Sequence, residues 1–145
     1  MAKQSPTQKA KRLLERLGYT VAIVERWNPY AGPIDPKTKQ PRGIRQDMLG
    51  FIDLIGFKDD ACPIYLQVTS WTNVTGRVMK IVKDCQDQAI PLCGSRSAQV
   101  EVWGFKPGRV PKTLQDMKRV RMRIDRDQVA VVPDPPVTLH SSDLR

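Results

Sequence analysis

Gly50-Phe51-Ile52-Asp53-Leu54-Ile55-Gly56-Phe57, then Lys58-Asp59-Asp60, then Ile64-Tyr65-Leu66-Gln67-Val68-Thr69-Ser70 is the stretch on which the fold turns. Two apolar runs rich in β-branched and aromatic residues, joined by a short polar turn, read as a hairpin with strands over 49–57 and 62–69. A hairpin symmetric about Asp60 sets Asp53 directly opposite Gln67, and residues directly opposite in an antiparallel pair share a face. Asp53 has Phe51, Ile52, Leu54 and Ile55 as neighbours, where an unpaired carboxylate is costly to bury. A bound cation offsets that cost. An Asp at a strand edge reaching solvent avoids it.

Upstream, Ser5-Pro6 reads as a helix start, with serine as the cap and proline in the first turn. Ala10, Leu13, Leu14 and Leu17 then form one apolar stripe, and Gly18 stops the helix. Residues 19–27 read as a strand. The segment 28–46 holds four prolines, two glycines and the basic residues Lys37, Lys39, Arg42 and Arg45. A structureless connection of that length marks either a functional segment or a plain flexible loop. Downstream, Thr72 or Asn73 is placed to cap a second helix with Val74, Val78, Ile81, Val82 and Cys85 as its buried stripe. Residues 99–105 form a further strand, ended by Lys106-Pro107-Gly108. Residues 118–124 and 128–132 close the domain as a hairpin around Asp125-Arg126-Asp127. The order is helix, three strands, helix, strand, hairpin, which makes a mixed α/β domain over 1–132 with a flexible Pro-rich tail over 133–145.

The pair of runs from Gly50 to Phe57 and from Ile64 to Ser70 resembles the motif of the PD-(D/E)XK nuclease superfamily, to which archaeal-type Holliday junction resolvases and many restriction enzymes belong. The resemblance implies an α/β fold with the restriction-endonuclease-like αβββαβ core and a mixed sheet, here followed by an extra C-terminal β-hairpin. It also implies a Mg²⁺-dependent (or Mn²⁺-dependent) deoxyribonuclease site. Asp53 matches the first metal-binding aspartate, Gln67 the position of the second acidic residue, and the backbone carbonyl of Val68 a further ligand.

Two positions depart from the motif. Gln67 supplies a neutral amide oxygen where a carboxylate is usual, and Mg²⁺ prefers hard, charged oxygen. Thr69 stands in place of the lysine that stabilises charge developing on the phosphate, and losing such a group typically costs about 10²–10³ in rate. Glu25, late in the first strand, and Asp47, at the end of the basic segment, are candidates to restore negative charge, with helix-surface Glu15 as a weaker one. Arg77 and Lys80 share a face of the second helix at i, i+3 and are candidates for the missing cation, Lys80 foremost. A solvated helix charge is the plainer reading of either one taken singly.

Charge and composition bound the partners. The chain has 145 residues, with 24 Lys and Arg against 15 Asp and Glu, a net charge of +9. Such an excess suits phosphate backbones first and anionic membrane surfaces second. No apolar run approaches the roughly 20 residues that span a bilayer, and residues 1–11 lack the apolar core of a secretory leader. Three cysteines without CxxC spacing read as reduced thiols of a cytoplasmic protein rather than a zinc knuckle. The single histidine, His140, lies in the tail, which argues against triads that need a histidine base. Between residues 118 and 124, Arg119, Arg121 and Arg123 alternate with Val120, Met122 and Ile124, which puts three guanidiniums in a row on one strand face. That row suits phosphates, as does the cluster from Lys37 to Arg45, although a charged face that prevents edge pairing has the same pattern. Trp27, Tyr30, Trp71 and Trp103 are candidates to stack on bases or to pack internally.

Three readings stand at this point. One is a metal-dependent endonuclease hydrolysing phosphodiester bonds in DNA, with branched or structured DNA as its substrate and Asp53, Gln67, Lys80 and Glu25 in catalytic roles. The second is a nucleic-acid-binding module on the same fold without catalysis. The third is an interaction protein with an acidic protein partner. Many nucleases of the superfamily act as dimers, so a homodimer fits the first.

Overall fold

The computed structural model describes residues 4–95, 97–108, 111, 117–125 and 128–131. The tail with His140, and Arg126 and Asp127, where the sequence reading expects the closing turn, lie outside the described residues.

Helix α1 (Pro6–Arg16) begins where capping chemistry requires: the Gln8 amide donates to Ser5 Oγ at 3.2 Å, and Pro6 opens the first turn. Gly18 follows at φ +92°, the left-handed stop for which glycine carries no Cβ penalty. The strands are β1 (Thr20–Ile23), β2 (Arg26–Asn28), β3 (Ile44–Gln46), β4 (Leu54–Phe57), β5 (Ile64–Ser70), β6 (Gln99–Phe105), β7 (Lys118–Asp125) and β8 (Gln128–Val131). Helices α2 (Val74–Asp84) and α3 (Gln86–Cys93) lie between β5 and β6.

Six strands form one mixed sheet in the order β1-β4-β5-β6-β7-β8; β5 and β6 are parallel and every other pairing is antiparallel. The parallel pair needs a crossover, which α2 and α3 provide. The central hairpin has the register expected from its turn, with Leu54 opposite Leu66, Ile55 opposite Tyr65 and Gly56 opposite Ile64. The C-terminal hairpin β7–β8 is also present.

Period-two alternation divides the apolar side chains between two cores. On one face Leu54, Leu66, Val68, Trp103 and Phe105 pack under the α1 stripe of Ala10, Leu13, Leu14 and Leu17. On the other, Ile55, Val100, Val102 and Met122 pack under Val74, Val78 and Ile81 of α2 and Ala89 of α3. The molecule is thus a sheet between helical layers, with both faces of its central strands buried.

Several elements differ from the sequence expectation. The run 19–27 is two strands: β1 joins the main sheet, whereas β2 leaves it and pairs with β3. The segment 28–46 is no structureless loop but a hairpin arm, closed further out by the Ile34–Pro41 bridge and an Asp35 turn whose carboxylate accepts from the Lys37 amide at 2.8 Å. The strand expected from residue 49 begins only at Leu54, because Leu49 (φ +54°) and Gly50 (φ +83°) turn the chain back on itself. Neither Thr72 nor Asn73 caps α2 through its side chain; a 3-10 turn, Trp71–Asn73, leads into it instead. Helix α3 was not expected, since it carries Pro91 and little apolar periodicity; the burial of Ala89 anchors it.

Candidate metal centre

Asp53 precedes β4 by one residue, and its backbone is held from both sides. Its amide donates to the Leu66 carbonyl at 2.8 Å, and its carbonyl accepts from Val24 at 2.9 Å. Its side chain is 3 % exposed. Asp53 Oδ2 accepts from Gln67 Nε2 and from the Val68 amide, each at 2.8 Å, so the cross-strand partnership expected from the turn is a direct contact.

Two further carboxylates reach it from the feet of the arm. Glu25 comes immediately before β2 and Asp47 immediately after β3. The turn at Leu49-Gly50, closed by the Gly50 amide on the Asp47 carbonyl at 3.1 Å and the Met48–Ile52 bridge, folds Asp47 back against Asp53. One carboxylate oxygen from each of Glu25, Asp47 and Asp53 lies within 4.8 Å of the other two. Like charges so close cannot all stay ionised in a buried site. Burial first, then a hydrogen bond with Asp47 and the charges of Asp47 and Glu25, push the Asp53 carboxyl up to about 8, against the opposing bond from Val68.

Three carboxylates and an amide oxygen are hard donors of the kind that Mg²⁺ and Mn²⁺ take. An independent observation supports the fit. Gln67 is 2 % exposed, its Nε2 is committed to Asp53, and its Oε1 is buried without a hydrogen-bond partner. A buried acceptor left unsatisfied is destabilising, and a cation held beside Asp53 is a partner that would satisfy it. The residues present therefore suit a divalent cation.

The cleft over this cluster has a volume of about 410 Å³ and gathers residues far apart in sequence. Gln67, Val68 and Thr69 form its β5 wall; Arg77 and Lys80 of α2 and Arg45 of β3 bring positive charge. Thr69 is buried and neutral, so positive charge at the cleft comes from α2 and the arm. Arg45 Nη1 lies 3.9 Å from Glu25 Oε1, which places Arg45 at the mouth of the site and not in a remote basic cluster. Ser5 and Thr7, at the start of α1, also line the cleft, and Thr7 Oγ1 donates to Glu25 at 3.2 Å. No spacing signal pointed to them, because a contact across 18 residues leaves no local pattern.

Other candidates fall elsewhere. Glu15 is an exposed helix residue paired with Lys11 at 3.3 Å and takes no part in the cleft. Lys37, Lys39 and Arg42 are exposed on the arm, where Arg42 stands 3.9 Å from Asp35. The expectation of three exposed arginines in a row is corrected. Arg119 is only 9 % exposed, and its Nε and Nη2 both lie 2.9 Å from Oε1 of the buried Glu101. Arg121 is half-buried, its pKa lowered by burial and by Arg123, and Arg123 alone of the three is exposed. Register puts Arg119 and Arg121 opposite Trp103 and Glu101, on the α1 face, whereas Gln67 and Thr69 alternate onto the α2 face. Arg121 and Arg123 line a second cleft with Cys93, whose thiol burial pushes up to about 11, too high for a thiolate nucleophile near neutral pH. Among the aromatic candidates, Trp103 is fully buried and Trp71 is half-buried with Lys106 Nζ 4.8 Å from its ring centre. Trp27 and Tyr30 are exposed.

Among the described residues no helix is long and apolar enough to cross a membrane. No protein-family model, no curated protein and no solved structure matches this chain.

Proposed function

We propose that the protein is a metal-dependent nuclease that hydrolyses phosphodiester bonds in DNA on a restriction-endonuclease-like core. The observation that carries this reading is the convergence of Glu25, Asp47 and Asp53, one carboxylate oxygen of each within 4.8 Å of the others, in a cleft that Gln67, with its buried and unpartnered Oε1, also lines and that arginine and lysine rim. The succession α1, β1, β4, β5, α2, β6, with Asp53 immediately before β4 and Gln67 inside β5, supports the same assignment.

In this reading Asp53, Asp47, Glu25 and Gln67 would hold Mg²⁺ or Mn²⁺, with the Val68 carbonyl as a further ligand. The bound ion supplies Lewis acidity at a phosphoryl oxygen. The protein supplies the rest. The carboxylates of Glu25 and Asp47 replace the charge lost where Gln67 stands for an acid. Lys80, helped by Arg77, places positive charge against the phosphate where Thr69 cannot, and Arg45 steers the backbone into the cleft. Burial holds a proton on Asp53 up to about pH 8, so its carboxylate would have to give up that proton to serve as a ligand, and cation affinity should rise with pH.

The buried, neutral Thr69 favours a second reading, a nucleic-acid-binding module that keeps the fold and lacks catalysis. Incubating linear, single-stranded and four-way-junction DNA with wild type and Asp53→Ala, with Mg²⁺ or Mn²⁺, separates the two. Metal-dependent cutting that Asp53→Ala abolishes is the expected result. Binding that weakens steeply with salt, without cutting under any metal, sinks the nuclease reading in favour of the binding module.

A further inference from the structure

The arm formed by β2 and β3 is unusual in what it exposes. It belongs to its own two-stranded sheet, yet Trp27 is 59 % exposed and Tyr30 88 %. Large aromatic side chains left in water at such levels mark a binding surface when they recur together. The Trp27 indole has a seat: Gly43, at φ +83°, lies so close beneath it that a Cβ there would overlap the ring. One side of the ring is thus braced by backbone while the residue stays largely open to solvent. That is a rigid aromatic platform.

The platform is aligned with the metal centre. Arg26 pairs with Gln46, Trp27 with Arg45 and Asn28 with Ile44. By alternation Trp27 shares a face with Glu25, two residues before it, and Arg45 shares that face with Asp47, two residues after it. The 3.9 Å approach of Arg45 to Glu25 agrees with this. Two residues of strand span about 7 Å, so the indole stands roughly that far along the arm from the acidic cluster. From Arg26 to Gln46 the arm carries five basic residues (Arg26, Lys37, Lys39, Arg42, Arg45) and one acid, Asp35, a net +4. Positive charge beside an open aromatic face matches a strand of nucleic acid with an unpaired base, because phosphates meet the cations and any base has a π-face to stack. A duplex offers the phosphates but keeps its bases stacked internally.

We infer that the arm is a single-strand grip: Trp27, assisted by Tyr30, stacks an unpaired base and so holds the adjoining phosphate over the Glu25–Asp47–Asp53 cluster. This deepens the nuclease reading and rests on it for the purpose of the grip. It makes the preferred substrate one with unpaired nucleotides next to the cut.

The test is fluorescence anisotropy with labelled oligothymidylate, oligouridylate and a blunt DNA duplex in EDTA, where no metal-dependent cutting occurs, followed by cleavage assays with Mn²⁺. The expected result is that Trp27→Ala weakens single-strand binding by about 5- to 150-fold, the range for deleting one base–aromatic stack, while duplex binding changes by less than about twofold. Trp27→Phe, which keeps an aromatic face, retains most of the single-strand affinity and guards against a mere folding defect. Comparing thymidylate with uridylate shows whether the gripped strand is DNA or RNA. Equal effects on single strand and duplex, unchanged binding in Trp27→Ala, or no single-strand binding by wild type each overturn the inference. So does a wild-type dimer that Trp27→Ala dissociates without altering oligonucleotide binding, which would make the arm a self-association surface. Asp53→Ala is run in parallel: cutting lost there with Trp27→Ala binding unchanged removes the grip and keeps the nuclease. A Trp27-dependent grip without any metal-dependent cutting removes the nuclease and keeps the grip.

Discussion

Asp53 is buried beside the carboxylates of Glu25 and Asp47. Its pKa is pushed up to about 8 by burial, by the hydrogen bond to Asp47 and by neighbouring negative charge. An acid whose folded pKa lies above its unfolded value makes the native state the stronger proton binder between the two. Stability therefore falls as pH climbs from about 4 to about 8 and levels off above that. In EDTA, calorimetry on Asp53→Asn, which cannot titrate there, should show a smaller drop in Tm between about pH 5 and about pH 8 than wild type; parallel curves would refute the shift. Gln67 offers an independent check. Gln67→Leu removes the unpartnered acceptor together with the Nε2 donor to Asp53, whose Oδ2 keeps the Val68 amide, so metal-free stability should fall by no more than about 1.5 kcal/mol, while calorimetric Mn²⁺ affinity should fall by about 10-fold or more. Arg119 serves stability instead. Its guanidinium and the Trp103 indole N–H both meet Glu101 Oε1 in the sheet interior, so Arg119→Ala leaves a buried carboxylate stranded. Urea unfolding should show a loss of about 3–5 kcal/mol.

At the scale of elements, the packing of α2 against the sheet sets how closely Arg77 and Lys80 approach the cleft. Gly104 in β6 allows it: a Cβ there would overlap Val74 Cγ2 and come 3.2 Å from the Ser70 carbonyl oxygen. Gly76, in the first turn of α2, has open space around its missing Cβ. The two glycine-to-alanine changes should thus act oppositely in thermal melts. Gly104→Ala should cost about 1–3 kcal/mol by overpacking, and Gly76→Ala should add about 0.5 kcal/mol through helix propensity. Much at this scale was legible in the sequence. The Ser5-Pro6 start, the α1 stripe, strand β6 and the central hairpin register all rest on local turn chemistry and periodicity. Helix α3 and the arm were not legible, since Pro91 and the prolines of the arm suppress the pattern that burial and cross-strand pairing then override.

For the whole molecule, the excess of positive charge is divided between places with different work. Lys37, Lys39 and Arg42 stand exposed on the arm, whereas Arg119 is tied to Glu101 inside the sheet. Under the proposed function, replacing all three arm residues with alanine should lower the slope of log binding constant against log salt by about 2–3. Arg119→Met should leave that slope unchanged. A filter-binding series over salt concentration, read as a slope and not at one point, distinguishes arm contacts from contacts spread evenly over a basic surface.

Short-range information in the sequence determined the alternation that builds two cores and the turn at Asp60 that sets Asp53 against Gln67. These follow from neighbours within a few residues, where sterics and periodicity act directly. The tertiary structure alone decided that Glu25 and Asp47, at opposite feet of a long arm, meet at Asp53. That meeting depends on a left-handed turn at Leu49-Gly50 and on β2 leaving the main sheet, and neither leaves a local pattern to read. It likewise decided which arginines are spent: the row from Arg119 to Arg123 looks uniform along the chain. Only the pairing of β7 with β6 puts Glu101 beneath one end of it, and a buried charge must find its partner.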